Sequence, residues 1–159
     1  MLPYTTFRPA EISDAQEIAD VYLTSRKKLV AFAPLAHSDD EIRHWIKNIL
    51  IPKADVTVAL VNDKIIGMMG LVKRGETNWI DHLYLRPDFV GHGIGSHMIG
   101  LAKSALGSPI QLYTFQENRG AIRFYERHGF VPMKYSDGSD NEEKCPDVLM
   151  KWTKVKSAI

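Results

Sequence analysis

The sequence of 159 residues contains a single cysteine, Cys145. No internal disulfide can form, nor a zinc cage built on cysteines. Long apolar runs are missing as well: nothing approaches the roughly 20 residues that span a bilayer. Met1–Ala10 lacks the charged start and apolar stretch of a signal peptide. Neither sign of charge is in excess, with 20 Lys and Arg against 19 Asp and Glu for a net charge of +1. A dedicated nucleic-acid binder needs a strongly basic face to displace counterions from phosphates, and this balance argues against one. The six histidines are scattered without a ligand spacing such as H-E-x-x-H, so no metal is expected. What is present is 45% hydrophobic and 25% charged residues, the composition of a globular chain able to bury a core. The expectation is one cytoplasmic domain over residues 1–159, with neither a membrane nor a nucleic acid as partner.

Thr5–Arg8 reads as an edge strand. Ser13 and Gln16 have the spacing of a capping box, opening a helix with Ala15, Ile18, Ala19, Tyr22 and Leu29 at near-helical intervals. Ser38 and Glu41 repeat the signature, and Ile42, Trp45, Ile46 and Ile49 follow on one stripe until Pro52 ends the helix. β-Branched residues then take over: Val56–Val61 and Lys64–Val72 form a hairpin around Asn62-Asp63. Gly75 marks the next turn, before a strand over Trp79–Leu85. Gly91, Gly93 and Gly95 lead into a helix carrying Ile94, Met98, Leu101 and Ala105, stopped by Gly107 and Pro109. Ile110–Phe115 is a strand, and Gly120–His128 a short helix with Gly129 as its left-handed cap. Phe130–Tyr135 and Val148–Thr153 are the last strands, joined by a polar loop over Ser136–Pro146. The order β-α-α-β-β-β-α-β-α-β-β predicts a mixed sheet of about seven strands with about four helices, an α+β or α/β sandwich in one domain.

Val90-Gly91-His92-Gly93-Ile94-Gly95 stands between a strand and a helix. Glycines there let backbone amides approach a ligand closely, and the helix N-terminus adds a positive dipole end. That is an anion site suited to phosphate or pyrophosphate. The same glycines also fit a tight turn that packs a helix closely on a sheet. A dinucleotide fingerprint needs a third glycine where this chain has Ser96, and the Walker lysine is absent. Neither a nicotinamide nucleotide nor a nucleoside triphosphate is favoured.

Leu83-Tyr84-Leu85-Arg86-Pro87, the glycine turn, then Asn118, Ala121, Phe124-Tyr125-Glu126 and Gly129-Phe130 form an ordered set. It resembles the GNAT superfamily of N-acetyltransferases, whose hallmark is R/Q-x-x-G-x-G/A after a strand, followed by an Asn and a Tyr seven residues later. The element order is similar too, so the resemblance spans nearly the whole chain. It implies a mixed, mostly antiparallel sheet with acetyl-CoA as cosubstrate and no metal. The pyrophosphate would rest on amides from Gly91, His92, Gly93, Ile94, Gly95 and Ser96. The pantetheine would run between the strand holding Leu83, Tyr84 and Leu85 and the strand Ile110–Phe115, with Asn118 holding the cofactor arm. Val90 departs from the pattern by occupying the usual Arg or Gln position, which removes one polar phosphate contact. By the same analogy the late strands would support a homodimer.

The chemistry follows from the acceptor. An alkyl amine with pKa about 10.4 is neutral in only about one molecule in 10³ at pH 7, so a base assists, directly or through water. Tyr125 holds its proton at neutral pH and suits the role of donor to a departing thiolate; its alternative is an aromatic packed beside Phe124. His82 titrates in the right range for the base. Asp81, next to it, is the other candidate; neighbours on a strand point to opposite faces, so only one of the two would face the acceptor. His37, Asp40 and Asn141-Glu142-Glu143 are candidates for the acceptor side, with a helix start and a solvated loop as the alternatives. His92 and His97 are expected to border the cofactor turn, and Cys145 to be an incidental thiol. The reading is an enzyme that acetylates a primary amine, on a small molecule or a protein, by direct attack. A non-catalytic acyl-CoA-binding or sensing module of the same fold is the alternative.

Overall fold

Alternating β-branched residues, interrupted by Asn62-Asp63, make β2 (Asp55–Val61) and β3 (Lys64–Arg74) an antiparallel hairpin in the computed structural model, which describes residues 4–155. The first three residues of the Met1–Ala10 stretch thus lie outside the described residues. Both turn residues have positive φ, 51° and 62°, as a two-residue type I′ turn requires. β1 (Thr5–Pro9) pairs antiparallel with β2, and β4 (Thr77–Leu85) with β3. β5 (Ile110–Phe115) runs parallel to β4, β7 (Asp147–Trp152) antiparallel to β5, and β6 (Val131–Ser136) closes the far edge on β7. The open, mixed sheet has seven strands in the order β1-β2-β3-β4-β5-β7-β6, as the element order and the resemblance lead one to expect.

α1 (Ala15–Leu29) and α2 (Asp39–Trp45) cover one face; α4 (Ile94–Leu106) and α5 (Arg119–Arg127) lie on the other. α2 runs on through a π turn, Ile46–Leu50, into the short α3 (Ile51–Lys53), so the helices form four continuous segments. Ile18, Tyr22, Ile42 and Ile46 pack on Val58 and Met68 from one side, while Met98, Ile99 and Phe130 pack on Met69, Ile80 and Leu112 from the other. β3 is apolar almost throughout because both of its faces are covered. Among the described residues no helix is long and apolar enough to cross a membrane.

Three local expectations change. The cap before α1 uses Asp14 rather than Ser13 and Gln16: its carboxylate accepts the Glu11 amide at 2.8 Å and is held by Arg8, an acid-guanidinium pair that outcompetes a serine hydroxyl. Ser38 and Glu41 do cap each other, at 3.0 and 3.2 Å. The π turn shifts the helical register, so the buried stripe continues through Ile42, Ile46 and Leu50 while Ile49 is left exposed. Pro52 lies inside the final helical turn instead of ending it.

Two features of β4 set up the site. Its pairing with β5 is confined to Asn78↔Ile110 and Trp79↔Gln111, beyond which the strands part. Buried Asn78 pins this apex, donating to the carbonyls of Leu106 at 3.1 Å and Pro109 at 3.0 Å. Further along, Gly70 faces His82 while Leu71 faces Ile80, leaving Asp81 as the extra residue of a β-bulge.

Candidate active site

The parting of β4 from β5 opens a cleft of about 1640 Å³, walled by Ile80–Leu85, the glycine turn, α5, and the loops around α2 and before β7. Past Trp79 the edge of β4 has no strand partner, so backbone groups near Leu83, Tyr84 and Leu85 are available to an extended ligand. The side chains of Leu83 and Leu85 pack into the core on the α4 side, while Tyr84 turns to the α1 side and meets Tyr22 edge-on at 4.9 Å. Backbone and side chains of this segment therefore do different work.

Open and packed positions of the glycine turn fall at different residues. Gly91 and Gly93 have φ near +84°, and a Cβ at either would meet no protein atom within 4 Å. Gly93 is the left-handed cap of α4, and the free amides of the helix's first turn follow it. Gly95 is the packing glycine: a Cβ there would stand 3.1 Å from the Phe124 ring. Ile94 is buried in the core, so only its amide is available to a ligand. Val90 is half exposed at the mouth and His92 exposed. Ser96 Oγ lies 2.9 Å from His128 Nε2, beside Arg127 on the cleft wall. Neither His92 nor His97 is among the residues lining the cleft; His97 stacks on Phe7 at 4.3 Å.

Asn118 caps α5, its Oδ1 accepting the Ala121 amide at 3.2 Å, and so fixes the start of the helix that carries Tyr125. Tyr125 lines the cleft, backed by Phe124 at 5.3 Å and Phe130 at 5.8 Å. Burial raises its pKa well above the usual phenol value, so the hydroxyl stays a proton donor at neutral pH.

The bulge interrupts regular side-chain alternation at Asp81 and His82. Ile80 packs toward α4, but His82 turns to the α1 side, 6.0 Å from Tyr22 and 5.3 Å from Trp45. Asp81 takes the extra position and is held by Arg74, which also lies over Trp79. Both residues line the cleft. Burial lowers the His82 pKa to about 4, against a smaller raising effect of Asp81, and its Nδ1 has no hydrogen-bond partner. The imidazole is thus neutral at pH 7 and a weaker base than an exposed histidine.

Arg26, Tyr22 and Trp45 escape a reading of the sequence as apolar stripes, yet all three line the cleft. The signal for Arg26 is its place one turn after Tyr22 and two after Ile18, a charge where the stripe calls for an apolar residue. The loop before β7 is drawn onto the rim: Glu142 meets His37 at 3.2 Å, and Glu143 approaches Arg26. Cys145 is buried in a small cluster with Val30 and Ala33 beneath this loop.

Strand edge, glycine turn, capped helix and tyrosine meet in one cleft, and the comparisons give the family. The family model described as the acetyltransferase (GNAT) family matches residues 17–130, and the chain belongs to that family. An uncharacterized N-acetyltransferase of Methanocaldococcus jannaschii is 33% identical over 84 residues, 46% of this chain and 37% of that protein; the match therefore spans just over a third of that relative's length. Among solved structures, the PaiA N-acetyltransferase of Thermoplasma acidophilum, in complex with coenzyme A, superposes with a TM-score of 0.76 at 20% identity, over 95% of this chain and 99% of that one. A protein of Pyrococcus horikoshii gives 0.77 at 23% identity over 96% and 100%. At these identities the two structures speak for the fold.

Proposed function

We propose that the protein transfers an acetyl group from acetyl-CoA to a primary amine by direct attack, without an acyl-enzyme. The observation that carries this reading is the juxtaposition of an unpaired β4 edge, an open glycine turn at a helix N-terminus, and a protonated phenol in one cleft. The residues fit the donor: the space beside Gly91 and Gly93 is open, with no protein atom within 4 Å of where a Cβ would stand, so phosphate oxygens could approach the turn's amides. Amides from Gly91 to Ser96 would hold the pyrophosphate, and the β4 edge with Asn118 the pantetheine arm. Bound acetyl-CoA supplies an activated thioester. Tyr125 donates a proton to the leaving thiolate. His82, neutral at pH 7, takes the amine proton through water, and Asp81, fixed by Arg74, holds negative charge beside it.

The test is thermal and enzymatic. Acetyl-CoA should raise the melting temperature through selective binding to the folded state, while NAD and ATP leave it unchanged. Release of free thiol in the presence of an amine panel should follow. Equal stabilisation by NAD would overturn the donor assignment; stabilisation by acetyl-CoA without thiol release for any amine would mark a binding module.

A further inference from the structure

The wall of the cleft facing α1 holds a charge that solvent hardly reaches. Arg26 is 5% exposed, and a buried guanidinium is costly unless its N–H groups are met. Nη2 donates to the Ala33 carbonyl at 3.1 Å. Glu143 Oε1 stands 3.8 Å from the same nitrogen, close enough to balance charge but too far for a hydrogen bond. The guanidinium lies over Phe115, 5.6 Å from the ring centre. Nε is buried and has no hydrogen-bond partner. Glu143 thus neutralises Arg26 without satisfying it. Buried donors left unmet in a native protein are few, and each asks for a partner. Arg26 itself is among the residues that line the cleft.

We infer that the acceptor amine also carries a carboxylate, and that Arg26 is the residue that recognises it; this rests on the acetyl-transfer reading above. A guanidinium matches a carboxylate through its planar fork of donors. Around α2 and the loop before β7 the lining carries Asp40, Glu41 and Glu142, while Arg127 and Lys134 lie elsewhere on it; those carboxylates suit the ammonium form in which an amine arrives. A diamine would suit that rim but would leave the Arg26 donor unmet and meet its positive charge. A zwitterionic acceptor of the amino-acid type answers both.

The experiment uses the whole chain with acetyl-CoA and a panel of amino acids, each beside its amide and its decarboxylated amine, with putrescine as the diamine. Binding to the CoA-loaded protein is followed by titration calorimetry and turnover by thiol release. In the wild type the carboxylate-bearing member of a set should be favoured roughly 10- to 100-fold in kcat/KM, the span of a charge-assisted hydrogen bond. Arg26→Met should erase that preference and Arg26→Lys retain part of it, with CoA affinity unchanged in both. Failure of CoA to bind would sink the donor reading instead. If CoA binds and the amides, decarboxylated amines or putrescine serve as well as the amino acids, or no amino acid binds at all, the inference is overturned. The wild-type comparison decides this even if Arg26→Met fails to fold.

Discussion

The Tyr125 hydroxyl is the sharpest single-atom test of the chemistry. Its ring is held between Phe124 and Phe130, so Tyr125→Phe removes only the hydroxyl without disturbing the packing. Turnover should fall by about 10²- to 10⁴-fold with CoA affinity near that of the wild type; unchanged turnover with chemistry rate-limiting would leave Tyr125 a packing residue. Tyr125 was legible from its spacing to Asn118. That Asp81 and His82 both line the cleft was not, because side-chain alternation assumes a regular strand and a bulge breaks it. Arg26 was missed for a related reason: helical periodicity marks a face as buried but says nothing of a charge placed on it deliberately. The sequence marks Asn141-Glu142-Glu143 as candidates for the cleft, which they line, but carries no signal of what their loop folds against, His37 and Arg26.

At the level of the element, the strand–turn–α4 unit separates anchoring by backbone from anchoring by side chain. Val90→Arg would add a cation at the half-exposed mouth of the turn, where ion pairs contribute about 0–1 kcal/mol. It should tighten CoA modestly, with the gain shrinking at high salt. Gly93→Val acts on the backbone itself: a β-branched residue at φ +83° is strained by on the order of 1–3 kcal/mol, and its side chain enters the space left for the ligand. CoA affinity should drop far more than Val90→Arg raises it, as calorimetry on folded variants would show. Normal CoA binding by Gly93→Val would reduce the turn to a structural device. The order of elements was readable because each boundary has a strong local signal, Asn62-Asp63 or Gly129 for example. Ile49 was misplaced because a π turn leaves no mark in the spacing of apolar residues.

For the molecule as a whole, His82 ties stability to pH. Its pKa falls from about 6.5 in the unfolded chain to about 4 in the folded one, so the unfolded state binds the extra proton between those values. The stabilisation is complete above pH 6.5 and is lost as pH falls toward 4, by up to roughly 3 kcal/mol. Denaturant melts across this window should show that slope, and His82→Gln should flatten it; an equal slope in the variant would place the acid sensitivity elsewhere. The same shift means that kcat/KM should show no limb near pH 6.5 due to His82. The two halves of the sheet, β1 to β4 and β5 to β6, are joined differently at the two ends of the cleft. At the apex Asn78 makes buried hydrogen bonds to backbone carbonyls, which dissolved ions do not reach. At the open end half-exposed His37 reaches across to Glu142, a surface contact whose strength falls with ionic strength. The cleft is therefore asymmetric in its response to the medium: ionic strength acts on the rim at His37 and leaves the vertex of the sheet untouched.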